Sequence, residues 1–207
     1  MDQTPEPMES LREIRSIMER STTFMSLTGL SGVVSGLIGI LTVIIVSVKL
    51  KSVFLSGNAI YRMVTQPDLR LFIIITALAA LILALASGLL LTCLKARKRK
   101  QEIWNSVSRR FAVHLFLPLV AGGLFTIALV LNGQLQFVCP AMLLFFGLAL
   151  VNAARFVQMD MFWLGTLEVG LGVVASFWTS GGLILWGGGF GLATLLYGTF
   201  MYFKYER

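Results

Sequence analysis

The sequence predicts an all-α fold: a polytopic membrane helix bundle of six transmembrane helices, with the N- and C-termini cytoplasmic. Three observations predict it. Of 207 residues, 57% are hydrophobic and only 13% charged, whereas a soluble domain carries about 25% charged residues. Asp, Glu, Lys and Arg are absent from Ser21 to Val48, from Leu71 to Leu94, from Phe111 to Ala154 and from Val169 to Phe203. The 17 basic residues fall unequally on the two sides that these runs define.

A run of ~18 apolar residues crosses a hydrocarbon core of ~30 Å. The first two runs each suit one crossing. The last two, 44 and 35 residues long, suit two crossings each, joined by a short turn. Lipid offers no partner to a backbone N–H or C=O, so each run must be helical. The alternating ten-residue segments of a membrane β-barrel do not occur.

Residues 1–8 hold Pro5 and Pro7 and are expected to be a disordered tail. The N-terminus is acidic, with Asp2, Glu6, Glu9, Glu13 and Glu19. It lacks the basic start and small-residue cleavage site of a secretion signal, so span 1 is expected to be an uncleaved anchor. Ser10-Leu11-Arg12-Glu13 fits a capping box. After it, Leu11, Ile14, Met18 and Met25 recur at helical steps. Residues 9–25 therefore read either as an amphipathic helix lying in the interface or as an extension of the first span. The remainder, 26–207, is a six-helix membrane domain with spans at about 26–48, 71–94, 112–131, 137–154, 161–178 and 183–203. Between the first two, Lys49–Arg70 is long enough for a short surface helix. Pro118 predicts a kink or local break in span 3. Asn132-Gly133-Gln134 signals a tight turn, and Pro140 sits in a first turn, where its missing N–H costs least.

Orientation follows the basic residues of short loops. With the N-terminus inside, 13 of the 17 lie on the cytoplasmic side. The cytoplasmic loop Lys95, Arg97, Lys98, Arg99, Lys100, Arg109 and Arg110 is the densest group. It predicts contact with anionic lipid headgroups, at about 1 kcal/mol per basic residue near the surface. No folded module accompanies it that would read a groove or stack bases, so the net charge of +7 reads as membrane orientation and no nucleic-acid partner is expected. Cys93 and Cys139 are placed at opposite faces, so no disulfide is expected between them.

Glu168 is the most informative residue. A charged side chain at a span's centre costs about 3 kcal/mol on insertion scales, and such residues face the bundle interior. The predicted spans put His114, Asn152 and Arg155 at a similar depth, with Asp160 just outside. These five residues form a candidate polar cluster in the cytoplasmic half of spans 3–5. It serves either as a hydrogen-bond clamp or as a proton- or ion-coupled site; otherwise Glu168 snorkels to the interface. Gly32 and Gly36 in span 1, and Gly187 and Gly191 in span 6, form GxxxG steps that let helices approach closely, either within the chain or across a homodimer seam. Neither set precedes Gly-Lys-Ser/Thr, so neither is a phosphate loop.

The single histidine excludes a bis-His haem site within one chain. No His-Glu-x-x-His, paired Cys-x-x-Cys or Gly-x-Ser-x-Gly motif occurs. No cofactor and no metal are expected.

Leu11-Arg-Glu-Ile-Arg-Ser-Ile-Met-Glu-Arg-Ser21, running into Ser26-Leu-Thr-Gly-Leu-Ser-Gly32, resembles the opening of a family of small bacterial multi-span inner-membrane proteins to which no activity is attached. Pro118-Leu-Val-Ala-Gly-Gly123, Phe146-Gly-Leu-Ala-Leu-Val-Asn152, Leu164-Gly-Thr-Leu-Glu-Val-Gly-Leu-Gly172 and Tyr202-Phe-Lys-Tyr-Glu206 continue the resemblance along nearly the whole chain. It implies a bacterial inner (plasma) membrane location. Members tend to carry His after Gly-Phe-Gly, where this chain reads Gly189-Phe-Gly-Leu-Ala-Thr194, so a function resting on that His is not expected here. The leading expectation is a non-enzymatic sensor, regulator or assembly factor with a membrane-protein partner or a second copy. A small permease with a polar site around Glu168 comes next, and an intramembrane enzyme last.

Overall fold

The computed structural model describes residues 29–55, 57–98, 106–157 and 159–205. The expected tail and interfacial helix, and Arg99 and Lys100 of the basic loop, lie outside them. The described chain is all-α. Helix α1 spans Gly29–Leu50, the short α2 Gly57–Thr65, α3 Pro67–Lys98, α4 Ser106–Leu131, α5 Val138–Ala154 and α6 Met159–Phe177. The last span is composite. Helix α7, Gly182–Trp186, passes into a π-helical segment, Gly187–Ala193, and then into α8, Thr194–Tyr205. Among the described residues, six helices are long and apolar enough to cross a membrane, the last running from Thr179 to Lys204. With so few charges along them, the chain is a multi-span helical membrane protein.

The helices end where their backbone chemistry stops them. Gly133, at φ 73°, caps α4 in a left-handed turn, with Gln134 N–H donating to Leu129 C=O at 2.8 Å. This is the glycine-capped ending in which two orphan carbonyls find donors. Helix α1 ends the same way at Lys51, φ 54°, with Ser52 N–H donating to Ser47 C=O at 3.1 Å. Lysine pays more for that conformation than glycine, and nothing in the sequence marks it. Pro67 opens α3, where no N–H is missed, with Asp68 in the first turn. Pro118 lies inside α4, which stays helical on both sides of it, so the span has no local break there. Thr42, Thr76, Thr166, Ser176 and Thr199 each donate to the carbonyl four residues back, at 2.7 to 2.9 Å. Each hydroxyl is thus satisfied inside its own span, as lipid requires.

The packing order differs from the chain order. Helix α3 packs on α1, α1 on the last span, the last span on the α5–α6 pair, and α4 on α5. The consecutive spans α3 and α4 therefore stand on opposite flanks of an arc whose middle is the last span. Only 6% of each flanking span is buried, against 28 to 44% for the other four.

Two apolar clusters close the ends. One gathers Val46, Leu50, Leu55, Met63, Leu69 and Leu183. There α2 folds back over the end of α1: Leu55 N–H donates to Ser180 C=O at 2.8 Å and Arg62 Nη1 to Leu50 C=O at 3.1 Å. The other gathers Leu150, Ala153, Ala154, Val157, Met161 and Leu164.

Glycines set the helix spacing between them. A Cβ on Gly32 would lie 2.8 Å from the Gly198 Cα, and one on Gly36 would lie 2.7 Å from the Gly191 carbonyl oxygen. A Cβ on Gly187 would meet Val43 at 2.9 Å, and one on Gly191 would meet Ile40 at 2.8 Å. Both GxxxG steps thus lie on the contact between α1 and the last span. A second close seam joins α5 to α6, where a Cβ on Gly147 would lie 2.7 Å from Gly165 O and one on Gly165 would lie 2.8 Å from Gly147 O.

Candidate functional site

Glu168 stands nine residues from either end of α6, about 13 Å from each, and so halfway along a span. It is wholly buried, at 0% exposure. Its carboxyl group lies against the backbone of Gly189 in the π-helical segment, where a Cβ would collide with Oε2. Leu143 of α5, also 0% exposed, closes the same spot: its Cδ2 is 2.7 Å from the position a Gly189 Cβ would take. Neither Glu168 oxygen has a hydrogen-bond partner. A fully buried carboxyl with no donor is unusual, because buried polar groups are nearly always paired and an unpaired one costs about 1–3 kcal/mol.

The sequence makes this placement through glycine. Three glycines in succession, Gly187 to Gly189, begin the π segment, and only a residue without a side chain leaves room for the carboxyl at Gly189. Thr194 Oγ1 donates to Gly189 C=O at 3.2 Å, supplying a donor where the wider helix changes its ladder. Single-turn π segments inside α-helices concentrate at functional sites. Beside Gly189, Phe190 stacks on Phe146 of α5 with ring centroids 4.2 Å apart and on Trp186 at 5.0 Å. The indole Nε1 of Trp186 is buried and also lacks a partner.

The other members of the candidate cluster lie elsewhere. Asn152 Nδ2 donates to the His114 carbonyl oxygen at 3.0 Å, tying α5 to α4, and Arg155 Nη2 approaches Asn152 Oδ1 at 3.4 Å. The His114 ring packs on Phe156 at 5.0 Å. Asp160 pairs with Lys204 at 2.8 Å, joining the start of α6 to the end of α8. None of these groups bonds to Glu168.

Helix register gives the reason. Gly147, not Asn152, faces Gly165 and Val169, so Asn152 lies roughly 7 Å farther toward the helix end. Spacing along one span does not fix depth relative to another, and α6 begins at Met159, two residues before the expected start. Of the basic-loop residues, Lys95, Arg97 and Lys98 fall in the last turns of α3, while Arg109 and Arg110 are exposed at the start of α4. Sequence reasoning missed Trp186, Gly189 as the residue against the acid, and the Gly147–Gly165 seam. Only the Gly187–Gly189 run gave a signal.

The Asp160–Lys204 pair is partly exposed, at 26% and 42%, and exposed pairs contribute about 0.2–1 kcal/mol. Lys204→Met is therefore expected to lower the unfolding free energy by less than about 1 kcal/mol. Chemical unfolding in detergent measures this, and a loss several times larger would mean that the pair holds the last span in place.

No family model, curated protein or solved structure matches the chain. The class that fold and site define is a multi-span helical membrane protein with the Glu168 carboxyl enclosed halfway along a span.

Proposed function

We propose that this chain is a small proton-coupled permease of a bacterial inner membrane, non-enzymatic, with both termini cytoplasmic and Glu168 as the group that takes up and releases the proton. The observation that carries the reading is the enclosure of Glu168 at mid-span with neither oxygen bonded, against a π-helical break in the neighbouring span. A structural clamp would hold its acid with donors. An acid left without them at this depth is a functional residue by default. Carriers also place their sites at the midplane beside interrupted helices. Enclosed and unpaired, the carboxyl is accommodated as the neutral acid, because an isolated charge there is far costlier. The basic-residue asymmetry supports the orientation, and the family resemblance supports the bacterial membrane.

Exchange of the Glu168 proton with water tests this. In lipid vesicles moved from H2O to D2O, the infrared carbonyl band of a protonated carboxyl, assigned by its loss in Glu168→Gln, is expected to shift within minutes. A band that holds its proton for days would sink the coupled reading.

One observation favours a second reading, a regulator or assembly factor acting through partner helices. Helices α3 and α4 each pack on one span and leave long apolar faces to the membrane. Under that reading Glu168→Gln would retain full activity, and crosslinks to a partner would fall on α3 or α4. Anionic headgroups are the lipid partners the basic residues suit.

A further inference from the structure

We propose that the solute exchanged against the Glu168 proton is a small organic ammonium ion. This rests on the reading of Glu168 as the proton site and adds the chemistry of what replaces the proton.

Glu168 is the sole Asp, Glu, Lys or Arg between Met161 and Phe203, and none occurs between Phe111 and Ala154. The α5, α6 and last-span interior therefore presents an acid and no base. An anionic solute would meet only a like charge. The protonated carboxyl can be enclosed without a partner; once ionised it cannot, unless a cation takes the proton's place.

The kind of cation follows from the lining. A hard metal ion needs about six oxygen ligands. Against the carboxyl lie the Leu143 side chain and the Gly189 backbone, and no group of three His, Cys, Asp or Glu that would hold a metal occurs among the described residues. Aromatic residues stand within one helical turn of these two along the chain: Phe146 is three residues beyond Leu143, Trp186 three before Gly189 and Phe190 directly after it, and the three rings form one continuous stack. Aromatic rings with one carboxylate suit an alkylammonium ion, whose charge is diffuse and whose surface is apolar.

The resting arrangement is closed, since Gly189 lies against the acid. The π segment Gly187–Ala193 is where room can be made. It carries four glycines, and a return to α-helical bonding would rotate its residues relative to α6. The exchange balances simply. The Glu168 O–H bond breaks, the proton passes to water, and the carboxylate pairs with the entering ammonium ion.

Calorimetric titration of the full-length protein in detergent with tetramethylammonium chloride, in weak buffer with a pH indicator, tests this. Wild type is expected to bind saturably and to release about one proton per cation bound, the stoichiometry that charge neutrality requires. Glu168→Gln, close in shape and checked for an unchanged unfolding temperature, is expected to lose proton release and bind at least about tenfold more weakly. Trp186→Phe is expected to keep proton release and bind about fivefold more weakly, because indole is the strongest of the aromatic partners; Trp186→Tyr serves in its place if the first variant unfolds.

Equal binding by wild type and Glu168→Gln, binding without proton release, or tighter binding of acetate than of tetramethylammonium would each overturn the proposal. So would no binding to wild type while its Glu168 band exchanges in D2O, an outcome that removes the ammonium class and leaves proton coupling intact. Failure of that exchange removes both.

Discussion

Leucine in place of Gly198 is expected to force α1 away from the last span and to lower the unfolding free energy by about 3 kcal/mol or more, the upper range for overpacked sites. The surroundings of Gly198 are backbone. A Cβ there would lie 2.6 Å from the Gly32 carbonyl carbon and 2.7 Å from the Gly29 carbonyl oxygen, and would press on the Val33 nitrogen. Side chains can rotate out of the way, but a helical backbone must move as a unit. Inside lipid the loss is not recovered elsewhere, because helix association there depends on close packing rather than on removing apolar surface from water.

Gly123→Leu is the matched control. Nothing lies within 4 Å of the Cβ it would add, so its effect is expected to stay within about 1 kcal/mol, with the higher helix propensity of leucine pulling toward stability. Circular dichroism during unfolding in detergent measures both. A Gly198→Leu protein as stable as the Gly123→Leu protein would mean that the α1 seam is not formed.

The contrast between these two glycines also marks what a sequence can and cannot convey about such a protein. Where the spans lie is legible, because lipid excludes charge over whole stretches and leaves a one-dimensional record. Some ends are legible too: Asn132-Gly133 announces a left-handed cap, and Pro67 a helix start. Lys51 takes the same left-handed cap with no glycine to announce it.

Which spans touch is not legible. Every face is apolar, so there is no polar side to show the outward direction, and Gly123 looks the same in sequence as Gly198. The order in which the last span separates α1 from α5 and α6 is a three-dimensional fact with no local signature. Depth suffers similarly. Glu168 and Asn152 look near each other when each is measured along its own span, but the Gly147–Gly165 contact shifts the two helices so that Asn152 reaches His114 instead. The singular chemistry of Glu168 was legible from its isolation among apolar residues. Its lack of partners and the π segment against it were not, although three glycines in a row gave notice of unusual backbone.

That lack of partners leads to the second large effect. Glu168→Leu is expected to abolish proton-coupled activity and at the same time to stabilise the fold by about 1–3 kcal/mol. For an acid held by donors the sign would be reversed, since leucine would strand those donors and cost a similar amount. Here no donor is stranded, because neither oxygen has one. Leucine is also compatible in character with the neighbouring Leu143. What is removed is a buried polar group without compensation, which interiors retain at a cost only where function requires it.

Glu168→Gln separates the two consequences. It keeps the shape and the polarity, so stability is expected to stay within about 1 kcal/mol of wild type, yet it cannot ionise and is expected to lose coupling as completely as leucine does. Unfolding midpoints in detergent and proton movement across lipid vesicles followed with a pH indicator, measured on the three proteins side by side, give the answer. A less stable Glu168→Leu protein would mean that Glu168 has hydrogen-bond partners in the membrane after all. A Gln variant with intact activity would mean that the acid is enclosed for a purpose other than moving protons. Stability gained by the mutation that ends activity is the joint outcome that neither a clamp nor an incidental buried acid produces.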